Sequence, residues 1–259
     1  MASCDGCQLQ LLDAEDALLE LAGRIEIVHF AEASSDMRPG PYDVTLVEGS
    51  VSTPEQERQV REIREASRVL VTIGACATAG GIQALRNATG RHEEFVRTVY
   101  PTPEYVRSLE DSHPIADYVP VDLELTGCPI DRDELLHAIA TLLAGGTPRV
   151  PKDPVCVECK RRGIVCVVVA KGEPCLGPVT RTGCGALCPA FGRGCYGCFG
   201  PAQAPGNADA LGRRFVELGL RPEEAADRFR FITGWAPAFR EASERLRTGA
   251  GAGEEVDAG

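Results

Sequence analysis

Twelve cysteines limit what this 259-residue chain can fold into, because their spacing divides them into three sets of four. The first set is spread over half the chain, and the other two are local clusters. We call them the first, second and third cysteine groups: Cys4, Cys7, Cys76 and Cys128; Cys156, Cys159, Cys166 and Cys175; and Cys184, Cys188, Cys195 and Cys198. Disulfides are rare in the cytosol, so this cysteine content predicts metal centres if the chain is cytoplasmic.

Composition and charge are those of a globular protein with a sizeable core. Hydrophobic residues make up 44% of the chain and charged residues 25%. The net charge of -11, with no basic stripe, argues against a nucleic-acid partner. The sequence has no apolar run of 18 residues and no leader pattern at its start, so we expect no membrane span and a cytoplasmic location.

The first half alternates between strand and helix patterns. Apolar and β-branched runs predict strands at Arg24–Phe30, Tyr42–Val47, Arg68–Gly74 and Tyr118–Leu125. Amphipathic spacing predicts helices at Leu9–Ala22, Pro54–Ala66 and Asp131–Leu143. This alternation predicts an α/β domain with a parallel sheet covered by helices.

The composition of the sequence changes around residues 145–154, where glycine and proline indicate a linker. Beyond it the sequence predicts a small irregular cysteine-rich domain, with a strand at Ile164–Ala170 and helices at Ala208–Leu220 and Ala236–Leu246. We therefore expect domains at 1–148 and 149–247, followed by a disordered tail at 248–259.

The first cysteine group is predicted to converge at one edge of the sheet. Cys76 and Cys128 each follow a predicted strand, and ligand sites in open parallel sheets lie beyond the carboxyl ends of the strands. The Cys4/Cys7 pair precedes the first helix, so all four thiols can meet and hold the amino terminus. Glu48 follows another strand and either lines this site or is a solvated turn residue.

A tetrad of thiolates fits either a structural zinc ion or an iron–sulfur cluster. Three tetrads in one chain, one of them spread over a sheet edge, favour clusters. Glycines between the later cysteines either let backbone N–H groups approach sulfur or simply form turns: Gly172, Gly177, Gly183, Gly185, Gly192, Gly194, Gly197 and Gly200.

The sequence shows no sign of chemistry on a substrate. It has no Ser–His–Asp constellation, P-loop or G-x-G-x-x-G motif. The histidines lie far from the cysteine motifs in sequence: His29, His92, His113 and His137. His29 lies in an apolar strand pattern and is expected to be a core residue. A row of clusters could relay electrons, whereas redox-inactive zinc ions could not, so electron transfer is the expected role.

Four motifs together resemble the small subunit of [NiFe] hydrogenases: SCDGCQLQLL, YDVTLVEGSVST, IGACATAGGIQALRN and TGCPID. The resemblance runs from residue 3 to about residue 205. The resemblance is in particular to the delta subunit of cytoplasmic sulfhydrogenases, the NAD(P)-linked type. It implies a flavodoxin-like domain in which the first cysteine group binds a proximal [4Fe–4S] cluster, followed by a domain with distal and medial clusters.

In this resemblance the second cysteine group corresponds to the distal site and the third to the medial site. Periplasmic-facing relatives have a histidine where this chain has Cys156, and a proline where it has Cys188. The resemblance therefore implies three [4Fe–4S] clusters, with Cys188 restoring a fourth iron at the medial site. Relatives also begin with a strand before the Cys-x-x-Cys pair, which three residues cannot supply. Either the numbering starts late, or a partner covers that sheet edge. The export signal and membrane helix of respiratory relatives are missing, which favours a cytosolic complex.

The resemblance implies an electron-relay subunit of a hydrogenase whose nickel–iron centre lies in a separate large subunit. The expected outlet is a flavin or iron–sulfur subunit that reduces NAD(P). The alternatives are an F420- or viologen-reducing hydrogenase, a quinone-reductase-type subunit related to complex I, and a zinc-stabilised binding module without a redox role. The complex I relative carries one cluster and lacks the cysteine-rich second half.

Overall fold

The computed structural model describes residues 1–203 and 207–249. The chain forms two compact units, Met1–Val150 and a second unit that begins at Pro151. Nearly all of the predicted tail, from residue 250 onward, lies outside the described residues. Within the described ranges no helix is long and apolar enough to span a bilayer.

The first unit is built on a parallel sheet, which confirms the predicted α/β class. Its strands are β1 (Tyr42–Glu48), β2 (Ser67–Ile73) and β3 (Leu123–Leu125), in the order β1-β2-β3. Glu48 is in register with Ile73, and Ile73 with Leu125, so the three carboxyl ends lie side by side. This register places the residues that follow each strand at one edge.

Six α-helices accompany the sheet: α1 (Gly6–Leu12), α2 (Asp16–Ala22), α3 (Pro54–Ala66), α4 (Gly74–Ala79), α5 (His92–Val99) and α6 (Arg132–Leu143). Three 3₁₀ turns lie at Ile82–Ala88, Pro103–Tyr105 and Ile115–Asp117. The predicted α3 is confirmed, and it begins where the Thr53 side chain accepts a hydrogen bond from the Gln56 amide at 3.2 Å. Helix α6 is capped in the same way by Asp131, which accepts from the Glu134 amide at 2.8 Å.

The predicted strand at Arg24–Phe30 is wrong, because this segment pairs with none of the three strands. The Val28 carbonyl instead accepts from the Arg38 amide at 2.9 Å, within a local loop. Ile27 is 40% exposed, and His29, expected in the core, is exposed. An alternating pattern specifies a strand only where a neighbouring strand completes its hydrogen bonds.

Two further predictions were too long. The strand expected from Tyr118 is limited to β3, because Pro120 has no N–H to donate and pairing with β2 begins only at Asp122, whose amide donates to the Leu70 carbonyl at 2.9 Å. The single helix expected over residues 9–22 is two helices, α1 and α2. Glu15, between them, has a φ of 46°, which a helix cannot accommodate.

Alternating residues of β2 face two separate apolar cores. Val71 packs with Leu125 and Leu135 of α6 on one face, together with the Cys7 side chain. Leu70 packs with Val60 of α3 on the other face. Both faces of the sheet are therefore covered, as expected for a parallel sheet.

The second unit is helical and irregular. Its helices are α7 (Val155–Arg161), α8 (Val167–Lys171), α9 (Leu187–Ala190), α10 (Ala208–Glu217), α11 (Pro222–Phe229) and α12 (Pro237–Thr248). The helices predicted near residues 208 and 236 are confirmed, but the strand predicted at Ile164–Ala170 is wrong, since most of it forms α8. A short apolar run does not distinguish strand from helix.

The core of the second unit joins the helices to the cysteine loops. Phe215, Phe229 and Phe239 are fully buried, and neighbouring rings lie 6.0 Å apart. Cys175 and Cys195 belong to the same cluster of buried side chains. Cys175 and Cys195 therefore pack in one core with side chains of α10–α12.

Candidate metal centres

Cys76 and Cys128 lie at the carboxyl edge of the sheet, as the sequence predicts. Cys76 is in the first turn of α4, directly after β2, and Cys128 follows β3. The two loops are joined by a hydrogen bond from the Ala75 amide to the Gly127 carbonyl, 2.6 Å. The strand ends therefore bring two thiols from distant parts of the chain to one place.

The segment that carries Cys4 and Cys7 is fixed to the same edge. Ala2 and Ser50 form an antiparallel bridge with two backbone hydrogen bonds of 2.9 and 3.0 Å. The Gln83 side chain donates to the Ala2 carbonyl at 2.6 Å. These contacts fix the amino-terminal residues beside the end of β1.

Glu48 anchors α1 to the end of β1. Its side chain is buried, and its two carboxylate oxygens accept from the amides of Cys7 at 3.1 Å and Gln8 at 3.2 Å. Asp5, at the N-cap position, makes no side-chain capping bond, so Glu48 supplies the cap from another element. Of the two readings of Glu48, a residue lining the site and a solvated turn acid, the structure supports the first.

The thiols of the first group lie close enough together that neighbouring charges raise the pKa of Cys7, Cys76 and Cys128. Burial raises the pKa of Cys7 to about 12 and that of Cys76 to about 11, and it also raises the pKa of Cys128. The charge of Glu48 adds to all three shifts, and the pKa of Cys128 is raised further by Cys4. As thiolates they would repel one another, so this site favours a positively charged occupant.

Three residues that the sequence analysis did not single out shape this site. Gly74 has a φ of +86°, and a Cβ there would overlap the Cys7 Sγ. Gly81 has a φ of +64°, and a Cβ there would lie 2.6 Å from the Cys76 Sγ. The Gln83 side chain hydrogen-bonds to the Cys76 thiol and opposes the rise in its pKa. The Gly80–Gly81 pair, which follows Cys76 in the sequence, is the sequence feature that could have identified Gly81.

The second group also assembles in the structure. Burial raises the pKa of Cys156 to about 11, with additional contributions from Cys175, Cys159 and Cys166. The Cys175 Sγ accepts from the Gly177 amide at 3.4 Å, which at this position favours the first of the two readings of the glycines, an N–H approach to sulfur. Cys166 is exposed, so this group reaches the surface of the unit.

In the third group the structure shows two close pairs. Cys188 contributes to the raised pKa of Cys184, and Cys198 to that of Cys195, although burial is the largest cause in both. The Cys195 Sγ accepts from the Gly197 amide at 3.4 Å. Backbone amides of residues 186 and 187 donate to the Cys184 thiol. Amide donors to sulfur are a common feature of iron–sulfur sites.

The donor set fits iron–sulfur clusters. In each group burial raises the pKa of at least two cysteine thiols, so their ionisation requires nearby cations. In residues 1–203 and 207–249, no group of three or more His, Cys, Asp or Glu side chains is arranged to hold a single metal ion.

We expect Glu48→Ala to loosen α1. The variant leaves two amides without an acceptor at the buried start of the helix, which costs about 1–3 kcal/mol. Hydrogen exchange of the α1 amides should accelerate and the thermal midpoint should fall. The matched control is Glu62→Ala on the exposed side of α3; equal behaviour of the two variants would contradict the capping role.

Comparisons with known proteins agree with this geometry. The family described as NADH ubiquinone oxidoreductase, 20 Kd subunit, matches residues 4–142. Sulfhydrogenase 2 subunit delta of Pyrococcus furiosus is 38% identical over 238 residues, covering 91% of this chain and 97% of that protein. A subunit of the F420-non-reducing hydrogenase vhu of Methanocaldococcus jannaschii is 36% identical, covering 77% of this chain and 79% of that protein.

One solved structure of a hydrogenase also resembles this chain. A chain of an NAD⁺-reducing [NiFe]-hydrogenase in the H₂-reduced state superimposes with a TM-score of 0.52 and 30% identity, covering 58% of this chain and 91% of that chain. The family model ends before the second and third cysteine groups, whereas the sulfhydrogenase relative covers nearly the whole chain. The chain therefore belongs to the NADH ubiquinone oxidoreductase 20 Kd subunit family and, within it, is an iron–sulfur electron-transfer small subunit of a [NiFe] hydrogenase.

Proposed function

We propose that each cysteine group binds one [4Fe–4S] cluster. The first group would hold the proximal cluster, the third the medial cluster and the second the distal cluster. When bound, the clusters supply reversible one-electron chemistry. Electrons from hydrogen oxidised in the large subunit would pass through the first, third and second groups in that order, or in reverse when hydrogen is evolved.

The observation that carries this proposal is the convergence of the first group. Cys4 and Cys7 are held beside the end of β1, while Cys76 and Cys128 follow β2 and β3. Thiols from three distant segments thus lie near one another, and the raised pKa values of Cys7, Cys76 and Cys128 favour a positively charged occupant. The register of the sheet, which sets the ends of the three strands side by side, supports this assignment.

In this proposal the role of the chain is to hold its redox centres in position. Glu48 holds the α1 amides, and the glycines at 74 and 81 allow backbone to approach the sulfurs. Amide donors at Cys175 and Cys195 stabilise negative charge on sulfur. We assign no acid–base or nucleophilic step to this chain.

The second group suits an electron outlet. Cys166 is exposed, and Val165 and Val169 beside it are 71% and 85% exposed. We take these two exposed apolar side chains next to a cysteine to be part of a protein interface. We propose that the partner here is a flavin or iron–sulfur subunit that reduces NAD(P); the likeness to an NAD⁺-reducing hydrogenase supports it.

A second candidate acceptor follows from the similarity to subunits of F420-non-reducing hydrogenases. In that case electrons would leave to a viologen-reducing type of complex or a related one. The identity of the subunits that co-purify with the chain distinguishes this acceptor from an NAD(P)-reducing subunit. We further propose a cytoplasmic location, which suits a chain with twelve cysteines that are expected to bind metal rather than to form disulfides.

Metal analysis of the purified complex tests the proposal. Three cubanes require about twelve irons and about as many sulfides per chain. Dithionite reduction should produce the electron paramagnetic resonance (EPR) signals of three centres. About four irons would mean that the second and third groups bind something else, and zinc in place of iron would favour the binding-module alternative.

A further inference from the structure

The second and third cysteine groups are joined directly by a hydrogen bond. The Cys195 amide, in the third group, donates to the Cys175 Sγ, in the second group, over 3.1 Å. Both cysteines are buried, with 9% and 6% of their surface exposed. The bond is therefore shielded from water and belongs to the packed core of the second unit.

A second hydrogen bond fixes the same two segments. The Leu176 amide donates to the Cys195 carbonyl at 3.1 Å. The backbone of Cys195 thus donates to Cys175 and accepts from Leu176. Leu176 is itself buried. This paired arrangement sets the distance between the Cys175 sulfur and the Cys195 amide.

The close approach depends on a glycine. A Cβ at Gly194 would overlap the Pro174 carbonyl oxygen. The φ of Gly194 is not in the left-handed region, so alanine could adopt this backbone conformation. Glycine is needed here for the space between the segments rather than for its conformational freedom.

We propose that the Cys195 amide is a positioning group shared by two redox centres, setting the potential of the centre at the second group and providing the electron path to it from the third. This inference rests on the proposed assignment of Cys175 and Cys195 to different clusters. The path runs from the Cys195 sulfur through its Cβ, Cα and amide N–H to the Cys175 sulfur.

The electronic argument has two parts. An N–H donor at a ligating sulfur stabilises the more negative, reduced state and raises the reduction potential of that centre. Electron tunnelling also decays less steeply through covalent and hydrogen bonds than through a gap. In each transfer one electron leaves the third group and one arrives at the second, and the proton stays on the Cys195 nitrogen.

The test is Gly194→Ala in the purified hydrogenase complex. The added methyl group should separate the two segments and lengthen the hydrogen bond. In redox titrations followed by EPR, the midpoint potential of the centre at the second group should become more negative. The magnetic interaction between the reduced centres at the second and third groups should weaken. The control is Gly219→Ala, which strains a positive φ of +100° with no atom within 4 Å and should change neither.

A measurement on the wild-type complex covers the case in which Gly194→Ala fails to assemble. After transfer to D₂O, pulsed EPR should detect a slowly exchanging proton coupled to the centre at the second group, because the amide is buried. Its absence, or a Gly194→Ala complex with full iron and unchanged potentials and magnetic coupling, would overturn this inference alone. A wild-type complex with fewer than three centres would instead overturn the proposed function.

Discussion

Replacing Cys76 and Cys128 together with alanine is expected to remove about four of about twelve irons from the chain. Hydrogen-dependent reduction of any acceptor should then be abolished. The two thiols stand at neighbouring strand ends, and the remaining pair, Cys4 and Cys7, cannot hold a cluster alone. Two of three EPR signals should persist, because the other two groups lie in the second unit.

The matched comparison is a double alanine variant of the second group, Cys156→Ala with Cys166→Ala. It should also lose about four irons, but from a different centre, so the two variants should lack different EPR signals. Transfer of electrons from hydrogen to the first centre should survive in this variant. Retention of full iron in the Cys76/Cys128 variant would contradict the assignment of the first group.

Local signals made the elements around the first group predictable. Helix α3 has a threonine cap and a proline in its first turn, and both its ends are as predicted. Strands β1 and β2 are apolar runs flanked by turn residues, and they pair in the expected parallel sense. Because Cys76 and Cys128 follow strands, their meeting at one sheet edge could be inferred without coordinates.

Features that depend on distant partners could not be predicted in this way. The segment 24–30 has the pattern of a strand but forms local contacts with Arg38 instead of a ladder. The Glu48 carboxylate binds amides about forty residues away, and Gln83 reaches Ala2 across an even longer stretch of chain. No sequence period encodes such contacts, since they exist only after the sheet has formed.

The relation between the second and third groups shows the same limit. Cysteine spacing separates them into two quartets, yet the structure joins them through the Cys175 sulfur. Gly194 was visible as a glycine near cysteines, but its contact with Pro174 was not. Spacing therefore gives a hypothesis for which thiols belong together, whereas the contacts between the second and third groups are visible only in the fold.

Gly74→Ala is expected to disrupt the first group although it changes no ligand. Gly74 has a φ of +86°, which costs an alanine about 1–2 kcal/mol. The new methyl group would also occupy the space of the Cys7 Sγ. Since Cys7 is buried and its amide is held by Glu48, the sulfur has little room to move away. We expect loss of about four irons and of one EPR signal.

Gly90→Ala separates backbone strain from the steric effect. Gly90 has a φ of +58°, but a Cβ there would have no atom within 4 Å. This variant should lose a similar amount of stability in thermal unfolding and keep all of its iron. If both variants lost iron equally, backbone conformation alone would explain the glycine at position 74. Iron loss in Gly74→Ala alone would show that the Cys7 sulfur must occupy its observed position for the centre to assemble.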